Sequence, residues 1–138
     1  MKEKCIFCKI VNGEIPSHKI YEDERVLAFL DIAQVTPGHT LVISKKHFDN
    51  FLAASKSSVH EVMDVAQRIG QVQVSMLGAK GVNVLTNCYE AAGQSVGHFH
   101  VHVIPRYGKE DRLVIEMKSP DDAKLNLPAI ADKIKSQL

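Results

Sequence analysis

The feature that most constrains this chain is the stretch from Gly93 to Arg106, GQSVGHFHVHVIPR, where His98, His100 and His102 alternate with Phe99, Val101 and Val103. Successive side chains of a β-strand leave on opposite faces. The alternation therefore predicts a strand with three imidazoles on one face and an apolar row on the other. Neighbouring imidazoles would sit roughly 6.6 Å apart, two rises of ~3.3 Å. Each imidazole has two ring nitrogens that need partners when buried, so packing alone gives no reason to align three of them. The pattern points to chemistry on one face and core on the other.

The elements around this strand read as α+β. Cys5 to Val11 predicts a short helix or turn that ends at Asn12 and Gly13. His18 to Glu22 and Arg25 to Ile32 predict two strands joined at Asp23 and Glu24. In the second, Val26, Ala28, Leu30 and Ile32 share one face; Leu27, Phe29 and Asp31 share the other. A turn at Pro37 and Gly38 leads to a strand over Leu41 to Ser44, and Phe48 to Ala54 predicts a short helix. Ser58 and Glu61 have the spacing of a capping box, so the main helix should start there and run to Gly78, about 20 residues or ~30 Å. Its stripe is Val59, Val62, Met63, Ala66, Ile69, Gln73 and Met76. Val82 to Cys88 reads as a strand and Tyr89 to Gly97 as a loop before the histidine strand. Leu113 to Met117 predicts a last short strand, and Pro128 to Ser136 a C-terminal helix. Antiparallel strands with helices inserted between some of them exclude an alternating βαβ fold. One long helix would cover one sheet face and leave the histidine face open.

At 138 residues this is one domain, 1–138, with a core to about residue 107 and a strand-and-helix extension over 108–138. A net charge of +1 gives no reason to expect a specific nucleic-acid partner. No apolar run approaches the ~20 residues that span a bilayer, and the first residues lack the apolar core of a signal peptide. A cytoplasmic protein is expected. Its three cysteines, Cys5, Cys8 and Cys88, are an odd number, which argues against a disulfide scaffold. Cys5 and Cys8 form a Cys-x-x-Cys pair, open to a metal or a redox reading. A closed zinc site needs two more ligands, and His47 and His98 are the candidates; such a site would be structural. His39, beside Pro37 and Gly38, is a candidate for a supporting role; His18 and His60 look like surface residues, and Cys88 like a small buried one.

At Gly93, Gln94, Ser95, Val96, His98, His100 and His102 the chain resembles the histidine triad (HIT) family of nucleotide hydrolases and transferases. The likeness continues through CIFCKI at 5–10, EIP at 14–16, the Leu27–Ile32 segment, the Pro37–Ile43 segment and KKH at 45–47. It most resembles the adenosine phosphoramidate hydrolases and their bacterial relatives. The resemblance implies a five-stranded antiparallel sheet per subunit and a homodimer whose sheets join into one of ten strands. It implies His100 as the nucleophile, with His102 and Ser95 at the α-phosphate or leaving group. It implies Asp31 at the ribose hydroxyls, Ile32 in the nucleoside pocket, and Asn87, Gly93, Gln94 and Val96 at phosphate-loop and pocket positions. Cys5, Cys8, His47 and His98 match the zinc ligands of the metal-containing members, one zinc per chain. One departure is Leu30, where close relatives often carry histidine.

The chemistry of the residues runs the same way. A neutral imidazole attacks phosphorus without the repulsion an anion would meet, and forms an N–P bond that water then cleaves. That requires His100 to be bare at one nitrogen and to donate from the other. The expected activity is hydrolysis at the α-phosphate of purine nucleoside phosphoramidates or related nucleotides, releasing a nucleoside monophosphate. Two other readings stand beside it: a nucleotide-binding or sensing dimer with vestigial catalysis, and a metallohydrolase using the three histidines as one ligand set.

Overall fold

The computed structural model describes residues 2–120 and 124–138. The strands are β1 (Lys19–Glu22), β2 (Val26–Leu30), β3 (Thr40–Ser44), β4 (Gly81–Leu85) and β5 (His100–Arg106); the helices are α1 (Ile6–Val11), α2 (Lys56–Leu77) and α3 (Leu127–Lys135). The five strands form one antiparallel sheet in the order β1-β2-β3-β5-β4. The histidine strand thus comes last in the chain but lies inside the sheet, with Leu41 and Leu85 both opposite His102. Pro105 lies beyond the β3 pairing, where its missing donor costs β3 no ladder bond.

Period-two alternation divides the core between the two faces. Val26, Ala28, Val42, Val101 and Val103 pack against Val62, Val65 and Ala66 of α2. Leu27, Phe29, Leu41 and Ile43, on the histidine face, pack against Phe7 and Ile10 of α1. The expectation of an open histidine face is therefore corrected: α1 covers part of it, because four apolar side chains of β2 and β3 share that face and must leave water.

Other differences have local causes. Phe48 to Ala54 is bends and turns, with no helix. The Phe48 carbonyl accepts the Phe99 N–H at 2.7 Å and so serves no helical turn, and the bonds that follow, from the Ala53 N–H to the Asn50 carbonyl at 3.1 Å and from the Ala54 N–H to the Phe51 carbonyl at 3.4 Å, span three residues and not four. Helix α2 starts earlier than expected because Ser55 is its cap, accepting the Ser58 N–H at 3.2 Å. Glu61, the expected partner in a box with Ser58, instead accepts from Arg25 at 2.6 Å. The buried side of α2 includes Val65 and Gly70, while Met63 and Met76 are exposed. Gly78 ends it at φ 72°, a left-handed stop. The second strand stops at Leu30, and Ile32 beyond it is 92% exposed. The expected strand over Leu113 to Met117 does not form: Arg106 Nη2 takes the Leu113 carbonyl at 2.9 Å, and Val114 and Met117 face solvent. The C-terminal helix forms one residue early, capped by Asn126. No described helix is long and apolar enough to cross a membrane.

The cap assignment gives a direct test. Ser55→Ala lowers the unfolding free energy by about 1 kcal/mol in denaturant titration, and Ser58→Ala by distinctly less. The reverse order would place the helix start at the later serine.

Candidate functional site

His100 is 6% exposed at the start of β5. Its Nδ1 lies 2.6 Å from the carbonyl of His98. A carbonyl only accepts, so Nδ1 carries the proton and Nε2 keeps a lone pair. The ring is held edge-on by Phe7 at 5.1 Å and lies 5.1 Å from the ring of His102. Burial pushes its pKa below the usual imidazole value, against the opposing pull of the His98 carbonyl and Asp31.

His102 is oriented by a residue that the sequence marked only as a supporting candidate. His102 Nδ1 and His39 Nε2 are 2.9 Å apart, and His39 Nδ1 accepts the Val35 N–H at 3.3 Å. The proton positions follow in order: His39 must carry its proton on Nε2 and donate to His102, so His102 carries its own on Nε2. That N–H is a fixed donor. Burial, and then repulsion from His100 and His39, lowers the His102 pKa to about 4. Asp31 Oδ2 lies 3.7 Å from His39 Nε2, and its Oδ1 accepts the Ala33 N–H at 2.9 Å. The signal that would have promoted His39 is that it alternates with Leu41 and Ile43, on the His102 side of the sheet.

A second cluster lies beside the first. Cys5 caps α1 and Cys8 sits in its first turn. Cys5 Sγ is 3.4 Å and Cys8 Sγ 3.6 Å from His98 Nδ1, and Cys8 Sγ is 3.3 Å from His47 Nδ1. All four ligand atoms lie within 4.8 Å of one another. The outer nitrogens are engaged: His98 Nε2 donates to the Ser44 carbonyl at 2.6 Å and His47 Nε2 to Asp49 at 3.1 Å. Both Nδ1 lone pairs therefore face the thiols, as a metal would require. Two thiols and two imidazoles fit a closed tetrahedral site. Burial raises the Cys8 thiol, so a cation is needed to hold the thiolate.

This geometry separates the three histidines of the motif. His98 Nδ1 faces the thiols, His100 Nδ1 a carbonyl and His102 Nδ1 the His39 ring. They do not converge as one ligand set. Asp31, His39 and His102 also bring donor atoms within 4.8 Å. However, His39 Nε2 bears a proton while the Val35 N–H occupies Nδ1, so a cation there would break two hydrogen bonds.

The loop from β4 to β5 carries the other expected residues. Its first residue, Thr86, donates to the His100 carbonyl at 2.7 Å. Gln94 is a strut: Oε1 accepts the Tyr89 N–H at 2.8 Å, and Nε2 donates to the carbonyls of Asp49 at 2.6 Å and Val96 at 3.0 Å. Gly93 turns at φ 92°, with the Asn87 amide beside it. Ser95 is exposed, while Val96 packs on the α1 side of the sheet. Ile32 points into solvent. Tyr89 adopts φ 74° and ψ 159°, a conformation that costs a non-glycine residue about 1–3 kcal/mol. The apolar cleft of about 380 Å³ lined by Ile20, Leu30, Val65 and Ile69 lies on the α2 side, away from the histidines.

The profile of the HIT domain matches residues 12–109. Protein hit of Bacillus subtilis is 51% identical over 109 residues, 79% of this chain and 75% of that protein. The adenosine 5'-monophosphoramidase hnt1 of Schizosaccharomyces pombe is 35% identical over 134 residues, 97% of this chain and 98% of that protein. The crystal structure of a HIT family protein from Bacillus anthracis superposes with a TM-score of 0.93 at 43% identity, covering 100% of this chain and 99% of its own. A zinc-bound histidine triad family protein from Mycobacterium smegmatis gives 0.75 at 36% identity, covering 98% of both chains.

The half-buried His102 ring sets a pH dependence. Unfolded, it titrates near 6.5; folded, near 4. Between those values the unfolded chain takes a proton that the folded one refuses, so stability falls as pH drops from 6.5 towards 4. Its imidazole resonances should titrate with a midpoint of about 4 by NMR. A midpoint near 6.5 would refute the suppression of the charged ring by burial and the neighbouring imidazoles.

Proposed function

The chain belongs to the HIT domain family, and on that premise we propose that it hydrolyses purine nucleoside phosphoramidates, or related nucleotides, at the α-phosphate. The observation that carries this reading is the hydrogen bond of His100 Nδ1 to the His98 carbonyl, because it leaves the Nε2 lone pair as a neutral nucleophile.

His100 Nε2 attacks the α-phosphorus in line. The bond from phosphorus to the leaving nitrogen breaks, and its electron pair goes to that nitrogen, which takes a proton from Ser95. The His102 N–H stabilises charge on the phosphoryl oxygens. Water then attacks phosphorus and gives one proton back to Ser95, while the N–P bond breaks and its electron pair returns to His100, giving a nucleoside monophosphate. Asp31 accepts from the ribose hydroxyls, Ile32 lies against the nucleoside, and Asn87, Gly93, Gln94 and Val96 shape the phosphate loop. Gln94 does so as a strut, since its amide is already engaged. A relative named as an adenosine 5'-monophosphoramidase supports the substrate class.

We place one structural zinc per chain on Cys5, Cys8, His47 and His98. The metal would supply thiolate neutralisation and a cross-link, and the residues at phosphorus work without contact to it. We also read the chain as one HIT domain, residues 1–138, with an extension over 108–138. It pairs as a homodimer through β4, an outer strand of the sheet, to give ten strands. The apolar Val84 on β4 and the exposed Val74 of α2 support that interface. The three free cysteines suit the reducing cytoplasm.

Replacing His100 with glycine should reduce hydrolysis of adenosine phosphoramidate by orders of magnitude while AMP binding, measured by calorimetry, persists. Undiminished turnover would overturn the reading. Wild-type turnover no better than the variant's would favour a sensing dimer. Metal analysis should give one zinc per chain, and Cys8→Ala should lose both the metal and thermal stability. A metal-free wild type of full stability would remove the structural role.

A further inference from the structure

We propose that Tyr89 determines specificity: its phenol ring is a stacking platform for leaving groups that carry a flat aromatic ring. The inference rests on the hydrolase reading and names the substrate class of the same site.

Tyr89 is the one non-glycine with positive φ among the described residues, at φ 74°. Its backbone closes the β4–β5 loop. The N–H goes to Gln94 Oε1 at 2.8 Å, and the carbonyl accepts from Ala92 and Gln94, each at 3.1 Å. Glycine would make the same three bonds without the steric penalty. The ring is 62% exposed, joins neither apolar cluster and has no aromatic neighbour among the described residues. A side chain that the backbone disfavours and the core does not use points to a task outside the fold.

Its position names the task. Gln94, which holds the Tyr89 N–H, directly precedes Ser95, the proposed proton donor to the leaving nitrogen. The same loop begins at Thr86, tied to the His100 carbonyl at 2.7 Å. At its far end, beside His98, Gly97 has ordinary φ, and a Cβ added there would meet nothing within 4 Å. The loop thus offers an exposed aromatic face near its start and a clear space at its end. A flat ring gains from stacking on Tyr89, while an alkyl chain gains little.

The test uses adenosine phosphoramidates of an arylethylamine and of an alkylamine, whose aliphatic nitrogens have similar basicity. The ratio of their kcat/KM values should favour the aryl substrate by about fivefold in the wild type. It should persist in Tyr89→Phe and fall to near one in Tyr89→Leu and Tyr89→Gly. Tyr89→Gly should also unfold at a higher temperature, so loss of the fold cannot explain a changed ratio. An unchanged ratio in Tyr89→Gly and Tyr89→Leu, with both substrates still turned over, overturns this inference alone. A wild type that cleaves neither substrate overturns it together with the hydrolase reading.

Discussion

The bond from His100 Nδ1 to the His98 carbonyl is the constraint on which the rest of the site depends. It fixes the tautomer of a buried ring that would otherwise choose between two. It also ties that ring to His98, whose own imidazole is held between the Ser44 carbonyl and the Cys5 and Cys8 thiols. Phe7, from between those cysteines, stands edge-on to both imidazoles, at 5.9 Å from His98 and 5.1 Å from His100. The candidate metal centre and the candidate nucleophile are therefore neighbours through one residue and one aromatic ring.

That arrangement explains how so many imidazoles are buried without loose ends. His39, His98 and His100 are each nearly inaccessible, and each of their rings has a hydrogen-bonding partner. Burial disfavours the charged form of all three and of His102. The site is thus a set of neutral donors and acceptors in fixed order, which suits attack on an anionic phosphate. The six-residue α1 is too short to hold as an isolated helix. It is kept in place by the Phe7 and Ile10 packing and by the cysteine pair, so the lid over the histidine face and the thiol cluster form together.

Where sequence reading failed, partners outside the expected element had taken the groups that local rules relied on. Phe48 to Ala54 looks helical, but the Phe48 carbonyl is bound by Phe99, far along the chain. Ser58 and Glu61 have capping-box spacing, yet Ser55 caps the helix and Arg25 takes Glu61. Leu113 has strand-like neighbours, but its carbonyl belongs to Arg106. His39 was legible as a residue beside a turn; its contact with His102 follows only from β5 entering the sheet next to β3.

The alternation of histidine with apolar residues by itself determined a two-faced strand, because side-chain direction in an extended chain has a period of two and needs no partner. The cysteine spacing likewise limited the first residues to metal or redox chemistry, because thiol reactivity is local. The sequence left open which nitrogen of each imidazole bears the proton, since that depends on the group facing it. Only the tertiary structure decided this, by setting the His98 carbonyl, the His39 ring and the two thiols each against a different histidine of one strand.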